Sequence, residues 1–265
     1  MKGVPETEIA VLRSVLADLD QTDLVVFAGP SLVGSPLVEI GSHLILPPVR
    51  DGDLMAVASA TTPPANVLVI DGYFGAGQAI NLTELQEMLQ QGIRVYGCSS
   101  MGALRAVEAR PWGMIGLGQI FLEYLTGVRT SDENVVLLHD DQYRALTVPM
   151  VNADMLCALL ESHGIERTAC DAYRRRIAGL YFGDRSFSAL RVLAKEFLIG
   201  GTGAGPSDLD LALHYLAPAQ HAVWDVKRHD AEAAFCDIVL GRAPLTVPTG
   251  LAPVPEFVSP LLTEA

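Results

Sequence analysis

Tyr96-Gly97-Cys98-Ser99-Ser100-Met101-Gly102-Ala103-Leu104-Arg105 decides the reading of the chain. It passes from an apolar segment, through four small residues, into a helical pattern. Ile93 to Cys98 (IRVYGC) predicts a strand, the small residues a tight turn, and Met101 to Ala109 a helix. Similar apolar runs lie to either side: Asp23 to Gly29, His43 to Leu46 (closed by Pro47 and Pro48), Asn66 to Asp71, and Val135 to His139. Helical patterns separate them. Asp51 can cap Leu54 to Ser59, and Leu82 to Gln91 carries leucines at helical spacing and stops at Gly92. Continuously apolar strands joined by helices predict an α/β fold with a mostly parallel sheet and flanking helices.

Beyond about Asn152 the strand pattern ends. Ala153 to Ser162, Cys170 to Tyr181, Phe187 to Leu198, Leu209 to Leu216 and Ala219 to Leu240 read as helices, with Gly200 to Pro206 (GGTGAGP) as a flexible connector. The expected organisation is an α/β domain over 1–150, then a helical domain over 151–265 that ends in an extended Pro-rich tail.

Composition narrows the functional classes. Half of the 265 residues are hydrophobic, a globular proportion, and 18 Lys+Arg against 31 Asp+Glu give a net charge of −13. That balance repels phosphate backbones and anionic membranes, so neither nucleic acid nor a membrane is expected as partner. The start, MKGVPETEIA, has an early acid and no apolar h-region, which predicts a cytoplasmic chain without a signal peptide. Cys98, Cys157, Cys170 and Cys236 form no C-x-x-C pair, and the six histidines show no H-E-x-x-H. No metal is expected. With neither a Walker motif nor Gly-x-Gly-x-x-Gly, no cofactor is expected either.

The turn at Ser99-Ser100 carries the chemistry. Ser100 is placed at a helix N-terminus beyond the C-terminal edge of a parallel sheet, where unpaired N–H groups and the helix dipole favour negative charge. If Ser100 attacks a carbonyl, the Met101 N–H is one oxyanion donor, and Gly72 or Tyr73 at the neighbouring strand end supplies another. His139, at the end of an expected strand, is the candidate base. Asp71 stands on the same rim as a possible third member, with Asp140 and Asp141 as alternatives. The arrangement is similar to that of the Clp peptidase and crotonase folds, whose nucleophile lies in an Ala-Ser-Met-Gly-Ala segment; Ser99 to Ala103 is the matching piece here. The competing readings are that Ser99 or Ser100 only caps the helix, that His139 is structural, and that Cys98 is the nucleophile.

An ordered set of segments resembles the TfuA family: Val26 to Leu32, Pro47 to Leu54, Val69 to Phe74, Tyr96 to Ala106, Gly113 to Gly116, Asp132-Glu133 with His139, and Pro149 to Asn152. Together they cover roughly residues 24 to 155. The resemblance implies an accessory role beside a YcaO protein, an ATP-dependent enzyme that activates a peptide amide oxygen and, in this group, replaces it with sulfur. It implies sulfur delivery or activation of YcaO. Sulfide held as a thiocarboxylate on a sulfur-carrier protein needs acyl transfer for its release, which would employ Ser100 with His139 as base. Arg50 and Asp53, and Arg105 one turn into the Ser100 helix, would bind the carrier's anionic end or the substrate, or else serve only as caps and ion pairs. The alternative class is a non-catalytic adaptor that binds YcaO, the precursor peptide or the carrier. In either class Arg174-Arg175-Arg176 is the candidate positive patch for an anionic partner.

Overall fold

The apolar segments pair edge to edge in the structure, a computed structural model that describes residues 23–39, 43–75, 78–199 and 206–247. Strands β1 (Leu24–Phe27), β2 (Leu44–Leu46), β3 (Asn66–Val69), β4 (Arg94–Gly97) and β5 (Ile115–Gly116) form one sheet in the order β2-β1-β3-β4-β5. Every pairing is parallel, with Val26 opposite both Ile45 and Leu68, and Leu68 opposite Tyr96. This is a doubly wound order. Its switch point lies between β1 and β3, where sequential connections leave in opposite directions. The segment compared with the Clp peptidase and crotonase folds is limited to the turn after β4.

Helices α1 (Asp53–Ala58), α2 (Leu82–Gln90), α3 (Met101–Glu108) and α4 (Gly118–Leu125) connect or follow the strands. Burial explains why the strands are apolar throughout. Val26, Leu68, Ile70, Tyr96 and Cys98 share one core with Ala231, Ala234 and Phe235, while Val25, Phe27, Val67, Val69 and Val95, on the opposite face, are also fully buried.

The strand expected over Val135 to His139 is not part of this sheet. Ile115–Gly116 takes the place beside β4, and His139 instead bridges Ala145 in a local antiparallel pair. The chain divides into two compact units, one of Met1–Asp132 with Asp230–Ala265, the other Glu133–His229. The first division of the chain thus falls between Asp132 and Glu133. Residues after it bond within the second unit: Thr147 bridges Ser186, and Val148 N–H donates to Arg185 O at 2.8 Å.

In the second unit, α5 (Met150–Ser162), α6 (Arg167–Ala178), α7 (Phe187–Ile199), α8 (Pro206–Tyr215) and α9 (His221–Trp224) contribute to one core, which includes Leu156, Leu160, Tyr173, Leu190, Ala212 and Trp224. The long helix expected over Ala219 to Leu240 is broken. Asp225 accepts from the Arg228 N–H at 3.1 Å and so caps α10 (Val226–Val239), within which the second division of the chain falls. Among the described residues no helix is long and apolar enough to cross a membrane. The N-terminal segment, Gly200–Gly205 of the connector and the tail from 248 lie outside the described residues.

Helix α3 packs directly on the backbone of β3. The Gly102 N–H donates to Ile70 O at 3.1 Å, and a Cβ on Gly102 would lie 1.8 Å from Val69 O. A Cβ on Gly97 would lie 2.1 Å from Gly102 O. Both obstacles are backbone, so no side chain can move aside. Gly102→Ala is expected to lower stability by about 3 kcal/mol or more, the upper end of overpacking. Gly179→Ala, whose Cβ would meet nothing nearer than 3.5 Å, is expected to stay within about 1 kcal/mol of wild type. Denaturant unfolding of the two variants checks the contrast.

Candidate active site

The α3 contact dictates how the chain turns after β4. To bring Gly102 onto β3 within five residues of Gly97, the backbone reverses at Ser99, which adopts φ 64. The Ser100 N–H donates across it to Cys98 O at 2.8 Å. A three-residue turn with a left-handed, non-glycine centre is rare and costs about 1–3 kcal/mol. Buried hydrogen bonds offset that cost. Ser99 Oγ donates to Ser31 Oγ at 3.1 Å, and Ser31 Oγ donates to Asp71 Oδ1 at 2.7 Å. The Gly29 and Ser31 N–H groups both donate to Asp71 Oδ2 at 2.9 Å. Ser31 follows β1 and Asp71 follows β3, so this cluster occupies the switch point of the sheet. Asp71 is 3% exposed, and a carboxylate so buried is tolerable only with several donors on it.

Ser100 occupies the N-cap position of α3, yet its side chain makes no capping hydrogen bond. The plain capping role considered for it is therefore not what its hydroxyl does. Two backbone donors stand around Met101, the first residue of α3. The Met101 N–H opens the helix. The Gly72 N–H belongs to a strand extension in which Val49 N–H donates to Asp71 O and Tyr73 N–H to Val49 O. By the alternation of strand edges, the Gly72 N–H faces away from Val49, toward the β4 side. Among the described residues neither donor meets an acceptor. A Cβ on Gly72 would lie 2.8 Å from Met101 Cγ, so only glycine lets these two segments approach. Tyr73, the other donor considered, is already engaged. Cys98 is fully buried, and burial pushes its thiol well above the ordinary value, which keeps it neutral and unreactive.

Arg50 and Asp53 lie on the same rim, beyond β2. Arg50 Nη2 donates to Tyr73 Oη at 3.1 Å, its guanidinium stands 4.4 Å from the Tyr73 ring centroid, and its N–H donates to Asp53 Oδ2 at 2.8 Å. Asp53 thus orders the loop that presents Arg50. Arg105 is nearly buried and pairs with Glu108 on its own helix, which matches the ion-pair reading.

His139 belongs to the second unit. It does not end a sheet strand, because Leu138 and Thr147 form a local hairpin (Leu146 N–H to Leu138 O, 2.7 Å) in place of a sixth sheet position. Its Nδ1 lies 2.8 Å from Asp140 O, and its ring is 5.2 Å from that of Tyr143. In the same unit Arg174 is held by Asp154, Glu161 and Asp171, so it adds little to the expected positive patch, where Arg175 and Arg176 are exposed.

Two contributors escaped the sequence reading. Ser31 carries no signal beyond its Gly-Pro-Ser turn after a strand. Glu84 lies inside α2, where a carboxylate ordinarily faces water. Here it reaches the start of α1, accepting from the Gly52 N–H at 2.8 Å and the Met55 N–H at 3.4 Å. Gly52 itself offers no capping side chain, so Glu84 acts as the cap from another helix.

Residues 71–186 match the family model described as TfuA-like protein. The matched stretch contains Asp71, Gly72, Ser99, Ser100, Met101, Arg105 and His139, while Arg50, Asp53 and Ser31 precede it. The match supports a role in the YcaO-associated thioamidation system. No curated protein matches the chain.

Glu84 makes the Arg50 loop sensitive to pH. Burial, followed by a hydrogen bond with the Asp51 carboxyl, pushes its pKa up from 4.5 to about 7. Between those values the folded chain holds a proton that the unfolded chain has released, so stability falls as pH rises through this window. Glu84→Gln, which keeps an acceptor for Gly52 and a donor for Asp51, is expected to flatten that fall. Denaturant midpoints from pH 4.5 to 8 check it, and an equal slope in the variant would refute the assignment.

Proposed function

We propose that this chain works beside a YcaO enzyme in peptide backbone thioamidation, releasing sulfide from a thiocarboxylated sulfur-carrier protein by acyl transfer to Ser100. The supporting observations are the uncapped Ser100 hydroxyl at the start of α3 and the close packing of Gly72 on Met101, two residues whose N–H groups are open among the described residues.

In the reaction Ser100 Oγ bonds to the thiocarboxylate carbon, and the oxygen of that group takes up charge facing the two N–H groups. The C–S bond then breaks. The serine proton ends on sulfur, so hydrosulfide leaves and an ester remains on Ser100. Water attacks the ester, restoring the serine hydroxyl and giving the carrier carboxylate and a proton. Hydrosulfide is a good leaving group, which lessens the need for a strong general acid. Arg50 is assigned as the residue that attracts the anionic carrier end. Arg105, paired with Glu108, supports the Ser100 helix under this reading.

Ser100→Ala is expected to abolish sulfide release from the thiocarboxylated carrier without unfolding the chain. Added free sulfide is expected to restore thioamidation by YcaO in this variant. A pure adaptor behaves otherwise: with no cap bond to lose, Ser100→Ala leaves carrier-dependent thioamidation intact. Sulfide release by the alanine variant at the wild-type rate, or failure of free sulfide to rescue it, would contradict the reading.

A further inference from the structure

Ser99 is the strained residue of the turn, and its neighbour Ser100 is the one assigned to chemistry. Ser99 adopts φ 64, a conformation that L-residues with a Cβ avoid, and the local Ser100 N–H to Cys98 O bond closes the turn around it. Two constraints act on it from a distance. One is the pinning of Gly102 to Ile70 O, which fixes where the helix begins. The other is the chain of hydroxyls at the switch point. Ser31 has a single hydroxyl hydrogen, which goes to Asp71 Oδ1, so its oxygen accepts from Ser99 and the direction of both bonds is set. Asp71 in turn grips the Gly29–Ser31 turn through two backbone N–H groups. The acceptor offered to Ser99 is thus fixed to the buried ends of β1 and β3. Ser31 and Ser99 are 2% and 0% exposed, which keeps water from competing for these bonds.

We propose that Ser31 is a positioning residue, and that the chain Asp71–Ser31–Ser99 locks the left-handed turn and thereby fixes the direction of the Ser100 hydroxyl against its two oxyanion donors. The inference rests on the reading of Ser100 as the nucleophile. Ser31 acts through Ser99 and touches no reacting atom. Without the Ser31 hydroxyl, Ser99 loses the bond to Ser31, the left-handed conformation loses that compensation, and Ser100 samples other directions.

The test uses the full-length chain with two probes: a fluorophosphonate, whose attachment site is mapped by mass spectrometry, and the thiocarboxylated carrier. In the wild type the fluorophosphonate is expected on Ser100. Ser31→Ala is expected to slow that labelling, and to lower kcat for sulfide release with KM unchanged, by about tenfold to a hundredfold, as misplacement of a reacting group does. Ser31→Thr keeps the hydroxyl and is expected to restore both. A second pair removes any dependence on the fold of Ser31→Ala. Ser99→Gly adopts positive φ freely, whereas Ser99→Ala does not, so the expected order of kcat is wild type, then Ser99→Gly, then Ser99→Ala. Wild-type kcat and labelling in Ser31→Ala, or equal kcat in the two Ser99 variants, would overturn the positioning role alone. Labelling on Ser99 would overturn it by making Ser99 the nucleophile. A wild type that takes no label and releases no sulfide would overturn the Ser100 reading together with this one.

Discussion

A single backbone hydrogen bond, Gly102 N–H to Ile70 O, sets the architecture around the strand-to-helix turn. It forms only because Gly97 and Gly102 lack side chains where the backbones of β3, β4 and α3 converge. Helices normally pack on sheets through side chains, roughly 10 Å away. Here the first turn of α3 meets the sheet backbone directly. The Met101 N–H, open among the described residues, is thereby brought level with the strand ends, where Gly72 packs on Met101. The left-handed Ser99, the uncapped Ser100 and the Met101–Gly72 approach are all consequences of that contact.

Electrostatic compensation does the rest. The chain carries a net charge of −13, yet its rim places carboxylates where backbone donors need them. Asp71 accepts from the Gly29 N–H and from the Ser31 N–H and hydroxyl at the switch point, and Glu84 accepts from the Gly52 and Met55 N–H groups at the head of α1. Asp230 does the same for α4, accepting from the Gln119 and Ile120 N–H groups at 2.9 and 2.7 Å. Each ties a loop or helix end to a distant segment, so the rim is a set of mutually held backbone turns. Such a scaffold suits acyl transfer, in which fixed donors stabilise a developing negative charge without first reorganising.

The sheet was largely legible because its strands are buried on both faces and read as unbroken apolar runs. The starts of β1 to β4 fall within a residue of the expected ones, and α2 and α3 end one residue early. The fifth strand was not legible. Ile115–Gly116 is only two residues long and is selected by the Phe121 ring packing over Gly116, whereas Val135-Val136 has a stronger strand composition and a different fate. Asp225 was hidden inside an unbroken helical pattern, although an Asp before a helical run is a cap signal. At the site, the serine turn, Asp71 and Gly72 could be found because strand ends are readable. Ser31 could not, since its bond to Ser99 spans 68 positions and depends on strand order.

The central claim is that Ser100 passes through an acyl intermediate with the carrier. The most direct measurement is intact-mass and peptide analysis of the chain quenched in acid during reaction with a thiocarboxylated carrier. The account predicts a conjugate whose mass is the sum of the two proteins less hydrogen sulfide, with the ester on the peptide that contains Ser100. Sulfide release with no such conjugate even in rapid-quench samples, or a conjugate at another residue, would contradict it.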